Sequence, residues 1–423
     1  MEKRKASGNC ANAAVPVGRA VSFHGLFRVL FPESDEVMAV YSTGLKKNTL
    51  TYRQALTMIL KTVPSVARRL SDLEKGSEVG LCMQDGVRWI AVFWALMMNG
   101  YRPVLICPSD VPAAGTGPSV IITGDDVTES GQDDCAAIPH ESAWADGFFF
   151  RTSGEESCRY DIDAARSAVI RAMDMPRGRT DDVKALIAAP LSSPLGLFSL
   201  LAIQAMGAVA VLGQEGKAVP ISDSARSHDV THIIAYPYAL SSMVARMRRR
   251  KEGPFGSGAL DKALSSGGLP GKLRYGLLFR HVRTELTGRS VEVIYSTDDD
   301  LNPGVLSFFS RIGYITGCFS DGSGYRPDCT RIASDLVSGR QVLSEEEVRK
   351  GVTRCFAKTL DRPVEEITYT GDFFSSFGGE SLDYFVLLSE LESAFDVVFT
   401  SRDGSRLSSV KTFTRYIMDH QGD

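Results

Sequence analysis

The chain has 423 residues, 43% hydrophobic and 23% charged, with 39 glycines and 18 prolines, which excludes a collagen-like or wholly disordered chain and predicts two or three folded domains. Its 47 basic and 51 acidic residues leave a formal charge of -4, so no positive excess exists to drive nucleic-acid binding, and no apolar run reaches the roughly 18 residues needed to span a membrane. Eight cysteines without close CxxC pairs and a basic start, MEKRKASGNC, that leads into no apolar stretch predict reduced thiols and a cytoplasmic address.

Residues 51–70 read as an amphipathic helix disturbed at Pro64. The stretch 77–107 predicts a strand ending near Met83, a turn at Asp85 and Gly86, a helix through Met98 stopped by Asn99-Gly100, and a strand at Pro103 to Cys107. Two short apolar runs follow at 119–126 and 147–150, then a polar loop and a helix beginning near Asp161. Further on, VKALIAAP, AVAVL, DVTHIIAYP, the start of ALDKALSSGG and SVEVIYSTDDD predict strands, with helices between them. Strands alternating with helices argue for a parallel or mixed α/β core. His228 and His232, four apart, have no acidic third ligand nearby and lead into a strand, which argues against a metal site. The one dense basic run, ARMRRRKEG, reads as a solvated helix end or a dock for an acidic surface.

Composition changes near residue 340: residues 341–423 carry a formal charge of -6, residues 1–340 of +2. The acidic part predicts short helices only. One starts at a capping box of Ser344 and Glu347; a second would bury Leu382, Phe385, Leu388, Leu391 and Phe395; a third would bury Val410, Phe413 and Ile417. Between the first two lies DFFSSFGGESLDYF, where Gly378 and Gly379 approach Ser381 at the opening of a helix. A serine there is a helix N-cap by its residue type alone.

That segment resembles the acyl or peptidyl carrier protein family, with Glu380-Ser381-Leu382 in place of an Asp-Ser-Leu triplet. The resemblance implies that Ser381 carries a 4'-phosphopantetheine arm bearing an acyl or aminoacyl thioester, whose tether raises the local concentration of substrate at partner sites. It also implies a phosphopantetheinyl transferase as partner. Acidic Asp383, Glu390 and Glu392 would steer a basic partner face or solvate the surface.

Upstream, LCMQDGVRWIAVFWALMMNGYRPVLICP, ADGFFFRTSG, APLSSPLG, DVTHIIAYP and VEVIYSTDD resemble, in order, motifs of the adenylate-forming family of acyl-CoA synthetases and nonribosomal peptide synthetase adenylation domains. The resemblance implies an α/β fold: a truncated adenylate-forming core in residues 1–340, with an all-α carrier helix bundle in residues 341–423. It implies a vestigial or weak site for ATP and magnesium at Thr152, Ser153, Gly154, Thr297 and Asp298, with no catalytic residue assigned. Glu155 and Glu156 stand where small residues and threonine continue the phosphate loop, and would repel a triphosphate. The loop lysine is missing, Ser193 replaces a histidine or aromatic residue, and some forty residues between Asp300 and the tail leave no room for the family's mobile lid. GYITGCFSDG matches either the ribose-binding region, with Cys318 for its aspartate, or an earlier glycine turn.

The implied function is a carrier fused to a degenerate adenylation-like domain that docks or gates partners, its arm loaded by a trans-acting adenylating or acyl-transfer enzyme and read by downstream biosynthetic enzymes. The alternatives are a compact ATP-dependent ligase that loads its own carrier domain, and a structural partner with neither arm nor ATP.

Overall fold

Strands and helices alternate through the first of two units into which the chain divides, Met1–Asp328 and Cys329–Asp423. The computed structural model describes residues 10–43, 46–108, 117–124, 126, 136–151, 157–179, 182–212, 221–249, 276–297, 305–320, 345–379, 383–384, 386–388, 391, 395 and 407–420. The boundary expected at residue 340 lies outside them.

The first unit contains α1 (Cys10–Gly18), α2 (Phe23–Leu30), β1 (Val37–Thr43), β2 (Lys46–Thr51), α3 (Tyr52–Arg69), β3 (Glu78–Leu81), α4 (Val87–Met98), β4 (Arg102–Leu105), β5 (Ile121–Ile122), β6 (Phe148–Arg151) and β7 (Ser157–Tyr160). It continues with α5 (Ile162–Met173), β8 (Lys184–Ile187), α6 (Pro194–Ala205), β9 (Val209–Leu212), α7 (Ile221–His228), β10 (His232–Ile234), α8 (Pro237–Arg249), α9 (Gly276–Thr287), β11 (Val293–Thr297), α10 (Val305–Arg311) and β12 (Ile315–Phe319). Among the described residues these strands form a seven-stranded sheet, ordered β12-β11-β10-β8-β9-β1-β2, and a five-stranded sheet, ordered β5-β3-β4-β6-β7. Pairing is parallel except where β2 and β7 close one edge of each sheet antiparallel. This is the parallel α/β core that the alternation predicts.

Local chemistry explains several elements. Thr51 caps α3 through a capping box: its hydroxyl accepts from the Gln54 amide at 3.2 Å, and Gln54 Oε1 accepts from the Thr51 amide at 2.9 Å. Pro64, expected to disturb this helix, lies inside it. A proline cannot donate to the carbonyl four residues back; the Leu60 carbonyl accepts instead from the Ala136 amide at 3.2 Å, a distant strand of chain that replaces the lost bond. Helix α4 ends at Asn99, and Gly100 follows at φ +78°, the left-handed stop that the Asn-Gly pair predicts. All of α4 except half-buried Arg88 is buried, including Trp89, Phe93 and Trp94, so its aromatics are core. All three tryptophans of the chain, Trp89, Trp94 and Trp144, lie in this unit. Thr51→Ala is therefore expected to lower its melting temperature by about 2–4 °C, a loss of about 1 kcal/mol read by tryptophan fluorescence.

The structure corrects one expectation in this unit and adds a strand that periodicity did not mark. Ser157–Tyr160, expected to belong to a polar loop before a helix, is the strand β7, which pairs with β6 and buries Tyr160 against Phe148 and Phe150. Ile315–Phe319, in the stretch matched to either the ribose-binding region or an earlier glycine turn, is the strand β12 beside β11. The strand expected at the start of ALDKALSSGG and the side chains of Ala245 to Lys251 in the basic run lie outside the described residues.

The second unit has α11 (Glu345–Thr359), a single turn at Val364–Glu366, helical residues between 383 and 395, and α12 (Val410–His420). Its core joins Val348, Val352 and Phe356 of α11 to Phe373, Phe377, Tyr384, Leu387 and Leu391, and to Val410, Phe413 and Ile417 of α12. The third expected face is the observed one. The second is turned by one residue: Tyr384, Leu387 and Leu391 are buried, while Leu388 and Phe395 sit at the margin. Leu382 and Phe385, and the Ser344 cap, lie outside the described residues.

Candidate functional site

In the second unit the approach to Ser381 is built by Asp372. Its carboxylate accepts from the amides of Ser375 at 2.9 Å and Phe374 at 3.0 Å and from the Ser375 hydroxyl at 3.1 Å, and these donors, the Ser375 amide first, hold its carboxyl below the usual range. The turn closes when the Gly378 amide donates to the Phe374 carbonyl and the Gly379 amide to the Phe373 carbonyl, both at 3.0 Å. Gly378 sits at φ +72°, and a Cβ on Gly379 would enter the fully buried Phe373 ring. Glycine is required at both positions, for backbone freedom at one and closeness at the other. On the far side, the Tyr384 hydroxyl donates to the Leu407 carbonyl, and burial pushes its pKa up to about 12. The chain is thus held tightly up to Gly379 and again from Tyr384. Ser381, with Glu380 and Leu382, falls between them and outside the described residues. Phe374, 43% exposed, packs on Tyr384 with ring centroids 5.0 Å apart, leaving an apolar edge beside this approach.

In the first unit the residues to consider are those at the carboxyl ends of its parallel strands, the end at which open α/β sheets bind ligands. Asp85 follows β3, the Leu191-Ser192-Ser193 loop follows β8, and Thr297 ends β11, paired with Phe319. Asp85 Oδ1 accepts from the Leu191 amide at 2.9 Å, linking the two sheets. Ser193, the replacement for a histidine or aromatic residue, is the N-cap of α6: its hydroxyl donates to the Pro190 carbonyl at 2.6 Å and accepts from the Gly196 amide at 3.3 Å. The hydroxyls of Ser192 and Ser296 are buried without a hydrogen-bond partner among the described residues.

Of the expected nucleotide residues, the structure locates Thr297, half-buried at the end of its strand. Thr152, Ser153 and Gly154, with Glu155 and Glu156, join β6 to β7 outside the described residues, as does Asp298. No His, Cys, Asp or Glu cluster among the described residues could hold a metal ion. His228 and His232 are structural joints: His228 Nδ1 donates to the Ser224 carbonyl at 3.1 Å and its Nε2 accepts from Ser42 at 3.1 Å, while His232 Nε2 donates to the Pro176 carbonyl at 3.1 Å. Burial lowers the pKa of both. Among the described residues, Cys82, Cys107, Cys158, Cys318 and Cys355 form no disulfide. No described helix is long and apolar enough to cross a membrane. Asp85 was the residue that sequence reasoning placed only in a turn; its neighbour in space is 106 positions away, so no local signal marked it.

Residues 350–417 match the family model for the phosphopantetheine attachment site. The acyl carrier protein of Exiguobacterium sp. is 28% identical over 75 residues, 18% of this chain and 95% of that protein. The acyl carrier protein of Cyanidium caldarium is 26% identical over 78 residues, 18% of this chain and 91% of that protein. Among solved structures, the adenylation domain of a carboxylate reductase from Mycobacterium chelonae has a TM-score of 0.53 at 12% identity, covering 73% of this chain and 58% of that one. This chain thus spans less than two thirds of that structure's length, and the likeness concerns the fold alone. The chain is an adenylation-domain-like α/β fold joined to a helical segment similar to acyl carrier proteins and matching the phosphopantetheine attachment family.

Proposed function

We propose that residues 341–423 are a carrier domain whose Ser381 bears an acyl or aminoacyl thioester on a 4'-phosphopantetheine arm, and that residues 1–340 are a non-catalytic adenylation-like domain that docks or gates partners. The observation that carries this reading is the glycine approach: Gly378, at a positive φ, and Gly379, with no room for a Cβ beside Phe373, set the backbone just before Ser381 within the matched segment. The departures of the first unit support the second half. Two glutamates occupy the expected phosphate loop, and Ser193 is spent on capping α6. The arm requires a phosphopantetheinyl transferase, and its cargo comes from an adenylating or acyl-transfer enzyme acting in trans. Thr152, Ser153, Gly154, Thr297 and Asp298 then form at most a weak nucleotide site.

Intact mass of the full chain, measured after incubation with coenzyme A and a broad-specificity phosphopantetheinyl transferase, tests the carrier. A single addition of the arm is expected. Subsequent ATP with mixed carboxylic and amino acids should leave the arm empty; an acyl addition at this stage would establish the self-loading ligase in its place. No addition of the arm overturns the carrier reading.

A further inference from the structure

The chain on both sides of Ser381 is fastened to one short segment, Leu407-Ser408-Ser409. On the approach side, the Phe373 amide donates to the Ser408 carbonyl at 2.6 Å, Asp372 pairs with Ser409 in a single antiparallel bridge, and the Ser408 hydroxyl donates to the Asp372 carboxylate. On the helix side, the Tyr384 hydroxyl donates to the Leu407 carbonyl. The segment is itself anchored on the start of α12. The Thr412 hydroxyl accepts from the amides of Ser409 at 3.0 Å and Ser408 at 3.2 Å, and the Thr412 amide donates to the Ser409 hydroxyl at 3.3 Å. Val410 and Phe413, just beyond, are fully buried.

We propose that residues 407–409 are a clasp that presents Ser381 for receipt of the arm, with Tyr384 and Ser408 as its positioning residues. The proposal rests on Ser381 being the attachment point. Only residues 380–383 separate Gly379 from Tyr384. With both ends of so short a stretch tied to one anchor, the serine has little freedom left to lose when it meets the transferase. In the transfer its hydroxyl oxygen bonds to the phosphorus of coenzyme A next to the pantetheine, the bond from that phosphorus to the bridging oxygen breaks, adenosine 3',5'-bisphosphate leaves, and the serine proton goes to a base of the transferase. Attack in line with the leaving oxygen makes the rate sensitive to where the hydroxyl stands. The Tyr384 hydroxyl is not needed to keep its ring in the core, since Phe373, Phe374 and Phe413 already pack on that ring. What the hydroxyl adds is the tie to Leu407.

The test uses the full chain, coenzyme A and a broad-specificity phosphopantetheinyl transferase in excess, with single-turnover rates of arm addition read by intact mass as the transferase concentration is varied. Tyr384→Phe keeps the ring and loses the tie to Leu407; Ser408→Ala loses the tie to Asp372. Ile417→Val, a small loss in the same core two turns further along α12, is the control for stability. Each clasp variant should lower the limiting rate at least about fivefold, well inside the hundredfold that a misplacement of about 1 Å can cost, with the half-saturating transferase concentration unchanged and Ile417→Val transferring like the wild type. Wild-type limiting rates in both clasp variants overturn the clasp. Equal slowing in Ile417→Val overturns it by reducing the effect to stability, and a raised half-saturation at unchanged limiting rate overturns it by making the two residues part of a docking surface. A wild type that accepts no arm overturns the carrier reading itself, so the two failures are told apart.

Discussion

Replacing Ser381 by alanine is expected to abolish the phosphopantetheine mass addition completely, and replacing it by aspartate is expected to do the same. The pair separates the two roles that the sequence allows for this residue. As an N-cap, serine would lose about 1 kcal/mol on conversion to alanine and almost nothing on conversion to aspartate, which caps equally well. As an attachment point, it needs the hydroxyl oxygen as nucleophile, and neither replacement supplies one. Loss of the arm in both variants, with stability lowered only in Ser381→Ala, assigns both roles to Ser381. Retention of the arm in Ser381→Ala would move the attachment elsewhere and sink the proposed function.

Gly379→Val should be nearly as damaging by a different route. The new side chain would have to occupy the space of the Phe373 ring, which is fully buried and packs edge-on against Phe356 and Tyr384. Overpacking of this kind costs about 1–3 kcal/mol, and more where the displaced group is a central aromatic. The expected result is faster amide exchange at Phe356 and Phe413 in the carrier core and a severalfold slower transfer of the arm. Gly378→Ala, strained only by its positive φ, should cost about 1–2 kcal/mol and slow transfer less. Equal transfer rates in Gly379→Val and the wild type would show that the tight approach is not what presents Ser381.

The same residues show how far local pattern reaches. The β3-α4-β4 unit, its Asn99-Gly100 stop and the face of Val410, Phe413 and Ile417 were legible because periodicity and glycine stops act within a few residues. The second helix of this unit was legible as a helix but not in phase, because Leu387 and Leu388 are equally apolar neighbours and the tertiary contacts of Tyr384, its bond to the Leu407 carbonyl among them, bring Leu387 to the core. The edge strands β2 and β7 were missed. Their residues, KKNTLT and SCRY, are half polar, and an edge strand is defined by the partner that pairs with it.

By itself the sequence determined the alternation that makes an α/β core, the acidic helical tail and the Gly-Gly-Glu-Ser approach within it, since each depends on side-chain type at short spacing. Tertiary structure alone decided that Leu60, left without a donor by Pro64, would be satisfied by Ala136, and that Asp85 would meet the amide of Leu191. Both are bonds between groups far apart in the chain, where partner and desolvation are set by tertiary packing and leave no trace in local periodicity.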